Sequence, residues 1–436
     1  MVTLPGPHIL VLGANGLIGN ALAMDLRHRG FAVTGQARRF TAAQRVALGD
    51  AIETPLLTLD DERLALLIDS ADIVVNCVGI LQGADSEAVH HTFAGRLAGA
   101  CAATPQKLLV HVSIPGEESD DRTAYSRSKR EGERAIAGSG TPYVILRPGF
   151  VIATAAYGGS ALIRALAALP LALPVRESQS RFAATAISDL CATVAWLAVA
   201  WRDGQRQRRQ IWDVMEVAPG TVGDIVAAFR RHNGGPAPLL RLPGWALWPG
   251  TAAGDLVALL GWKPPIRSTA MAEMRRGVIG HPQAWMAATG IAPRSALEAV
   301  AATPATVQER WFARLYLLKA LALVILVIFW CASGLIALTV AFPMARQILL
   351  DHGFSFALAH GISIASSLLD ICVGLLIAFR RTCRIGLIAG ILVSLGYMIG
   401  AAVMTPDLWV EPLGALVKTG PAIVLMLVCL ALLDDR

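Results

Sequence analysis

Four long apolar runs follow residue 314, and they constrain the fold more than any other feature of the chain. They extend over residues 315–342, 356–379, 385–404 and 412–433. Each run reaches the roughly 20 residues that a helix needs to cross a bilayer. A soluble bundle would need polar helix faces, whereas these runs are apolar on every side. The sequence therefore predicts an all-α bundle of four transmembrane helices within a domain covering residues 311–436.

Composition excludes several classes of protein. Only 16% of the 436 residues are charged, against about 25% in an ordinary soluble domain, which excludes a purely soluble enzyme. The net charge is +6, but no block of Lys and Arg with interleaved aromatic residues predicts nucleic-acid binding. The seven cysteines lack the spacing of a zinc site or a disulfide framework, so no metal is expected.

Basic residues predict the orientation of the four spans, because Lys and Arg resist translocation. They flank the first run and fill the second connecting loop, at Arg310, Arg314, Lys319, Arg380, Arg381 and Arg384. The loop over residues 405–411 has none, and the first loop has only Arg346. The N-terminus lacks the features of a signal peptide. We therefore expect a multi-pass protein of the inner (cytoplasmic) membrane, with the soluble domain and the C-terminus in the cytoplasm.

A glycine-rich turn follows the first predicted strand, residues 8–12. It reads Gly13-Ala14-Asn15-Gly16-Leu17-Ile18-Gly19 and leads into a helical run and a second strand, residues 31–37. Such glycines allow a tight turn and let a pyrophosphate approach the backbone at the N-terminus of a helix. The pattern predicts a dinucleotide-binding domain over residues 1–150, followed by a substrate lobe and linker over residues 151–310.

The residues after the second strand bear on the choice of nucleotide. An acidic residue there would bind the ribose of NAD, whereas arginine accommodates the 2′-phosphate of NADP. This chain has Arg38 and Arg39, which favour NADP(H), with NAD(H) as the alternative. Two solvated surface arginines are the other interpretation. Asp60 follows a predicted third strand, residues 55–59, and would either bind the adenine or cap a helix.

A Tyr-x-x-x-Lys pair indicates that the soluble part of the chain has catalytic chemistry. Ser113 ends the fifth predicted strand, and Tyr125 and Lys129 follow at the start of a helix. Residues four apart share a helix face, so the ammonium would lower the pKa of the phenol. Such a tyrosine could exchange a proton with a substrate oxygen held by Ser113. The alternative is an inherited constellation that no longer supports turnover.

These motifs, together with Asn76-Cys77-Val78-Gly79 and Arg147-Pro148-Gly149, resemble an extended or atypical short-chain dehydrogenase/reductase, of the branch that includes the complex I accessory subunit and NmrA-like proteins. The resemblance implies an α/β fold with a Rossmann-type parallel sheet and a smaller substrate lobe. It also implies that Tyr125 is the general acid/base, that Lys129 holds the nicotinamide ribose and that Ser113 orients the substrate. The expected cofactor-binding residues are Gly13, Asn15, Gly16, Leu17, Ile18, Gly19, Arg38, Arg39, Asp60, Val78, Gly79, Lys129 and Pro148.

The C-terminal part is similar to the DoxX-like membrane family, through its four-span layout and the stretch Pro406-Asp407-Leu408-Trp409-Val410-Glu411-Pro412-Leu413 followed by Lys418. The resemblance implies a link to quinone-dependent oxidoreductases. Asp370 and Lys418 would form a functional pair or a quinone-headgroup site, or Lys418 would only extend to the outer face. We expect Trp311 at the membrane interface, and Trp245, Trp248 and Trp262 in core packing.

Together these features predict a membrane-tethered, NADP(H)-dependent oxidoreductase of the short-chain type. Its substrate would be an apolar or membrane-associated carbonyl or alcohol, lipid-like or quinone-like. The alternative is a non-catalytic NAD(P)H-binding sensor or assembly factor for a respiratory or quinone-linked membrane complex. The predicted Tyr/Lys pair favours the enzyme.

Overall fold

The computed structural model describes residues 6–81, 85–104, 107–410, 414 and 416–433. The chain packs as two compact units. The soluble unit comprises residues 1–254 and 265–313, and the membrane unit comprises residues 255–264 and 314–436. The predicted tail motif is described only as far as Val410, because residues 411–413 lie outside the described residues.

A parallel sheet, seven-stranded within the described residues, forms the centre of the soluble unit. The strands of the chain are β1 His8–Leu12, β2 Ala32–Ala37, β3 Ala51–Glu53, β4 Ile73–Asn76, β5 Leu108–Val112, β6 Tyr143–Pro148, β7 Phe150–Ile152, β8 Leu171–Ala172, β9 Arg181–Phe182, β10 Ala184–Ala186, β11 Arg209–Val214, β12 Gly220–Thr221 and β13 Leu240–Arg241. The order of the large sheet is β11-β6-β5-β4-β1-β2-β3. Its direction of winding reverses between β1 and β4, where open α/β sheets bind their ligands.

Helices cover both faces of this sheet. In chain order, the helices that precede the long apolar ones are α1 Leu17–His28, α2 Ala42–Leu48, α3 Asp61–Asp69, α4 Phe93–Ala102, α5 Ala124–Gly138, α6 Gly159–Ala167, α7 Val175–Ser178, α8 Ile187–Arg202, α9 Val222–His232, α10 Leu247–Leu259, α11 Ser268–Arg276, α12 Gln283–Thr289 and α13 Ala296–Ala301. Leu22 of α1 and Val194 of α8 pack on one face, and Phe93 and Leu97 of α4 pack on the other. Burial on both faces explains why the central strands are continuous apolar runs.

The predicted α/β class with a parallel Rossmann-type sheet is confirmed. The predicted position of the third strand, residues 55–59, is wrong: β3 lies at Ala51–Glu53, and Leu56–Thr58 form a 3₁₀ turn. Pro55 has no N–H to give to a strand ladder, which explains why the strand ends before it. The smaller lobe has its own core, in which Ile163 of α6 packs with Phe229 of α9.

The membrane unit contains the long apolar helices. The remaining helices of the chain are α14 Val307–Leu338, α15 Phe342–Asp351, α16 Phe356–Ala378, α17 Cys383–Met404 and α18 Thr419–Leu433. Within the described residues, α14, α16 and α17 are long and apolar enough to cross a membrane. The fourth predicted run corresponds to α18, whose 15 residues span about 22 Å, short of the roughly 30 Å of hydrocarbon.

Small residues allow the membrane helices to approach closely. A Cβ on Gly334 of α14 would lie 2.4 Å from the carbonyl oxygen of Ser367 on α16. A Cβ on Gly374 of α16 would lie 2.4 Å from the Cys331 sulfur on α14. Backbone contact of this kind is how helices associate in lipid, where burial from water gives no driving force.

The polar residues within the bundle pair differently from the sequence expectation. The Asp370 carboxylate accepts hydrogen bonds from the Tyr397 hydroxyl at 2.8 Å and from Ser333 at 3.5 Å. Lys418 lies exposed in the turn before α18. Among the described residues, the observed hydrogen-bond partners of Asp370 are therefore tyrosine and serine, and the expected pair with Lys418 is not observed.

The tryptophans also correct an expectation. Trp245 and Trp248 are 75% and 74% exposed, so their predicted core packing is wrong. Trp262 is partly buried, and its indole N–H donates to the Ala378 carbonyl at 2.7 Å. Trp311 is 62% exposed, as an interfacial side chain would be before lipid surrounds it.

Candidate cofactor and catalytic site

The glycine-rich turn has the form that a dinucleotide requires. Gly13 adopts a φ of 76°, and a Cβ there would lie 3.3 Å from the Cys77 carbonyl group. A Cβ on Gly19 would lie 2.3 Å from the Gly13 oxygen. No side chain caps the N-terminus of α1, where Leu17 and Ile18 form the first turn. Its backbone amides are thus free to face an anion, and these residues fit a bound pyrophosphate.

The region expected to bind the adenosine ribose lies at the end of β2. The Asn15 side chain donates to the Arg39 carbonyl at 3.0 Å, which ties the glycine turn to the two arginines. Arg38 and Arg39 are both exposed. Asp60 is the N-cap of α3 and accepts from the Arg63 amide at 2.8 Å, so the helix-cap interpretation applies to it in this structure.

The ends of β4 and β6 border the same region. The Val78 amide donates to the Asn76 side chain at 3.0 Å, and a Cβ on Gly79 would lie 3.4 Å from the Lys129 nitrogen. Pro148 is the last residue of β6 and follows Arg147, whose guanidinium donates to Glu133 of α5 at 2.9 Å. Gly79, in the segment that follows β4, therefore lies beside Lys129.

Lys129 is buried at the carboxyl end of the sheet. Its ammonium donates to the Val112 carbonyl at 2.9 Å, so it is anchored beside the strand end that precedes Ser113. Burial lowers the pKa of Lys129 to about 8, against the opposing effect of the Glu133 carboxylate. The side chain is thus mostly protonated near neutral pH and loses its proton in slightly basic solution.

Tyr125 lies in the first turn of α5, one turn before Lys129. Thr123 caps this helix, and the Tyr125 ring meets the His90 ring edge-on, with centroids 5.3 Å apart. Burial raises the pKa of Tyr125 above its ordinary value, Glu273 raises it further and Arg276 opposes this. The expected lowering of this pKa by Lys129 is wrong for this state. The phenol is neutral and is a proton donor.

Ser113 follows β5 and is buried. Among the described residues its hydroxyl oxygen makes no hydrogen bond of normal geometry. It nevertheless lies close enough to Glu133 to contribute to that group's electrostatics: burial acts to raise the pKa of Glu133, but Arg147 and then Ser113 lower it. A buried polar atom without a partner calls for an explanation, and a ligand oxygen is one.

His90 is a site residue that the sequence analysis missed. It is fully buried; its Nε2 accepts from the Ile80 amide at 3.1 Å, and its Nδ1–H donates to the Ser128 hydroxyl at 3.0 Å. Burial and then the Lys129 charge lower the pKa of His90 to about 3, so the ring is neutral. The signal in the sequence is its helical spacing from the apolar residues Phe93 and Leu97.

Helix α11 reaches the same region from residues far along the chain. Thr123 donates a hydrogen bond to Glu273. The Arg276 guanidinium lies 2.6 Å from the Asp121 carboxylate and donates to the Pro115 carbonyl at 2.8 Å. These contacts place α11 against the loop between β5 and α5, beside Tyr125. No local sequence pattern could have predicted them.

One group of possible metal ligands occurs at the surface of the described residues. Ligand atoms of Glu87, His91 and Glu131 lie within 4.8 Å of one another, and the His91 ring is 2.5 Å from the Glu87 carboxylate. Exposed acidic groups often lie this close without an ion, so the cluster carries no argument for a metal. Glu87 is exposed, and His91 and Glu131 are partly buried.

Two family matches agree with the geometry. Residues 13–167 match the NAD(P)H-binding family, and residues 327–427 match the DoxX-like family. The fold and the family match define an NAD(P)-binding Rossmann domain. The chain joins this domain to a DoxX-like membrane domain with apolar helices.

Similar proteins are known for the soluble unit. A probable low-salt glycan biosynthesis reductase, Agl14, of Haloferax volcanii is 30% identical over 166 residues, 33% of this chain and 53% of that protein. The chain therefore spans about half the length of that curated relative.

Solved structures show the same fold. The structure of MoeE5 with UDP-glucuronic acid and NAD is 17% identical, with a TM-score of 0.51 over 68% of this chain and 97% of that one. The UDP-glucose 4-epimerase of Thermotoga maritima is 14% identical, with a TM-score of 0.52 over 68% of this chain and 97% of that one.

Proposed function

We propose that the chain is a membrane-tethered, NADP(H)-dependent oxidoreductase of the short-chain type that acts on an apolar or membrane-associated carbonyl or alcohol. One observation carries the proposal. The buried Lys129 ammonium and the neutral Tyr125 phenol lie on α5, and the Ser113 hydroxyl follows β5, at the edge of the sheet that the glycine turn also borders. That hydroxyl has no hydrogen-bond partner among the described residues. These are the groups that proton transfer to a bound carbonyl requires.

The roles of the side chains follow from their protonation. Bound NADPH supplies the hydride for carbonyl reduction. Tyr125 donates its proton to the carbonyl oxygen, and the Ser113 hydroxyl holds that oxygen by a hydrogen bond. Lys129 would hold the ribose hydroxyls of the nucleotide with its ammonium. The raised pKa of Tyr125 keeps the proton on the phenol near neutral pH, so this side chain would be the donor when the carbonyl is reduced.

The membrane unit supports a substrate that partitions into lipid. Tethering through apolar helices holds the soluble unit where such a molecule is concentrated. The Haloferax relative is named a reductase of glycan biosynthesis, which supports the reaction class. We place the soluble unit and the C-terminus on the cytoplasmic side of the inner membrane, where NADPH is found. Lipid-like and quinone-like carbonyls both belong to the proposed class.

The test compares two tyrosine variants of the full chain in lipid nanodiscs. NADPH consumption is followed with a lipid extract of the host membrane as the source of substrate. We expect Tyr125→Phe to bind NADPH normally and to lose turnover, because the proton donor is absent. Tyr143→Phe, which removes a hydroxyl from β6 instead, should retain turnover. Equal turnover in Tyr125→Phe and the unmodified protein would overturn the proposal.

A second candidate function has one observation in its favour. Helix α11 packs beside Tyr125 through Glu273 and Arg276 and contributes to the burial of this part of the site. A domain covered in this way could bind NAD(P)H as a sensor or as an assembly factor for a respiratory or quinone-linked complex. Under that function the Tyr125→Phe variant would bind NADPH and retain every cellular phenotype.

A further inference from the structure

An exposed apolar surface lies on the soluble unit, within a short stretch of the chain. Leu239, Leu240, Trp245 and Trp248 are 86%, 61%, 75% and 74% exposed. We call these four side chains the 239–248 surface. Soluble proteins seldom leave contiguous large apolar side chains in water, and such a patch is typical of an interaction site.

The backbone of this surface is ordered. Leu240 lies on β13, which pairs with β8. The Leu239 amide donates to the Pro170 carbonyl at 2.9 Å, and the Leu242 amide donates to the Ala172 carbonyl at 2.9 Å. Trp245 lies on a 3₁₀ turn, and Trp248 lies at the start of α10. The side chains are therefore presented by fixed elements, and their exposure is built into the fold.

Positive charge borders the surface. An open cleft next to it is lined by Arg176, Arg241 and Arg275. Glu177 also lines the cleft and pairs with Arg275 at 2.7 Å, which leaves a net charge of +2. Arginine next to exposed tryptophan matches the composition of an anionic membrane surface, because arginine binds headgroup phosphates and tryptophan prefers the headgroup level.

The chain continues from this surface into the membrane unit. Helix α10 is continuous from Leu247 to Leu259, and residues 255–264 belong to the membrane unit. There the Leu260 carbonyl accepts from the Arg380 amide at 3.0 Å, and Trp262 donates to Ala378, the last residue of α16. The segment that follows α10 is therefore bound to the end of a membrane-spanning helix.

We propose that the 239–248 surface docks onto the anionic headgroup and upper acyl region of the bilayer that holds the chain's own helices. The occupant is lipid and not a second protein, because the exposed tryptophans and leucines lie beside a cleft whose net positive charge complements an anionic headgroup. Docking would hold the smaller lobe at the lipid surface.

The test measures the depth of a single label in the full chain, reconstituted in nanodiscs of phosphatidylcholine and phosphatidylglycerol. Exposed Cys372 is first replaced by serine. A fluorescent maleimide is then attached in Trp248→Cys, or in the control Leu66→Cys, whose native leucine on α3 is 70% exposed. We expect the label at 248 to be quenched severalfold more by a lipid-linked quencher than by an aqueous one. The label at 66 should show the reverse.

Two further measurements distinguish lipid from other occupants of the 239–248 surface. Arg176→Glu with Arg241→Glu should reduce lipid quenching at position 248 severalfold in anionic nanodiscs, but little in pure phosphatidylcholine. Equal aqueous quenching at positions 248 and 66 would overturn the proposal. The proposal would also be overturned if the label at position 248 stayed protected from the aqueous quencher in detergent and if this protection rose with protein concentration. The occupant would then be a second copy of the chain.

Discussion

The Tyr125 ring lies edge-on to the His90 imidazole, with the two ring centroids 5.3 Å apart. The imidazole is neutral, and it forms hydrogen bonds to two neighbouring segments of the chain. It accepts from Ile80 after β4 and donates to Ser128 on the same helix as Tyr125. A Cβ on Gly132 would lie 2.0 Å from the His90 carbonyl oxygen, so the two segments are in backbone contact there. His90 thus positions Tyr125 relative to the end of β4.

Acid should destabilise the soluble unit through this histidine. The pKa of His90 falls to about 3 in the fold from an ordinary 6.5, so between these values only the unfolded chain binds the proton. Stability is therefore lost as pH falls below about 6.5, at up to about 1.4 kcal/mol per pH unit for each such histidine. His111, whose pKa burial also lowers, should contribute as well.

The measurement is the thermal midpoint of the full chain at about pH 7 and about pH 5. We expect His90→Gln to lower the midpoint at neutral pH, since two buried hydrogen bonds change, and to reduce the loss between the two pH values. His28→Gln alters an exposed histidine and should leave that loss unchanged. An identical loss in His90→Gln and in the unmodified protein would contradict this role.

Lys129 should make cofactor binding sensitive to base. Because its pKa is about 8, the ammonium that would hold the ribose is lost as pH rises through that value. If binding needs the ammonium, the Kd for NADPH should rise about tenfold per pH unit above the pKa. Titration calorimetry across this range checks it. Lys129→Arg keeps its charge, so its Kd for NADPH should not change with pH over this range. A Kd that is independent of pH in the unmodified protein would contradict the role of Lys129 in holding the ribose.

Arg38 and Arg39 should determine the choice of nucleotide. Charge-assisted hydrogen bonds to a 2′-phosphate are worth about 1.5–3 kcal/mol, so replacing both arginines with alanine should weaken NADPH binding roughly tenfold to a hundredfold. NADH binding should change little. Arg63→Ala, which removes a 73% exposed guanidinium on α3, is the matched control. Tighter binding of NADH than of NADPH by the unmodified protein would sink the NADP assignment.

The predicted orientation of the membrane helices can be tested by cysteine labelling. His352 lies 2.8 Å from Asp407, so the connections after α15 and after α17 lie on one side of the bundle, and Arg380 lies at the other end, where it donates to the Leu433 carbonyl. The basic residues predict that the Asp407 side faces outward. In cells, Asp407→Cys should react with an impermeant maleimide, and Arg381→Cys should react only after permeabilisation. Labelling of position 407 only from the cytoplasm would reverse the orientation.

Periodic patterns made most of the fold predictable. The apolar runs and the glycine turn located the sheet, the first helix and the membrane helices, because burial on both faces imposes a local pattern. The strand at Ala51–Glu53 was not predicted, because it is short and lies at the edge of the sheet. Trp245 and Trp248 were expected in a core because tryptophan is usually buried, but the structure leaves both side chains exposed.

The site was only partly predictable, for a different reason. The motif located Tyr125 and Lys129, but the direction of a pKa shift depends on what surrounds the group. Glu273 lies about 150 residues from Tyr125 in the chain and acts on it only through tertiary packing. The lysine, which the spacing placed beside the phenol, is hydrogen-bonded to Val112. Sequence spacing predicts which side chains lie near one another on a helix, but it does not predict how deeply those side chains are buried.

Transfer of deuterium tests the central claim most directly. The full chain in nanodiscs is given NADPH that carries deuterium at the transferable position, together with a lipid extract of the host membrane. If the chain is a reductase of a membrane-associated carbonyl, deuterium appears on carbon in a lipid-phase alcohol, and Tyr125→Phe forms this product at least about a hundredfold more slowly. Retention of all the deuterium in the nucleotide, with NADPH bound and the extract present, would contradict the claim.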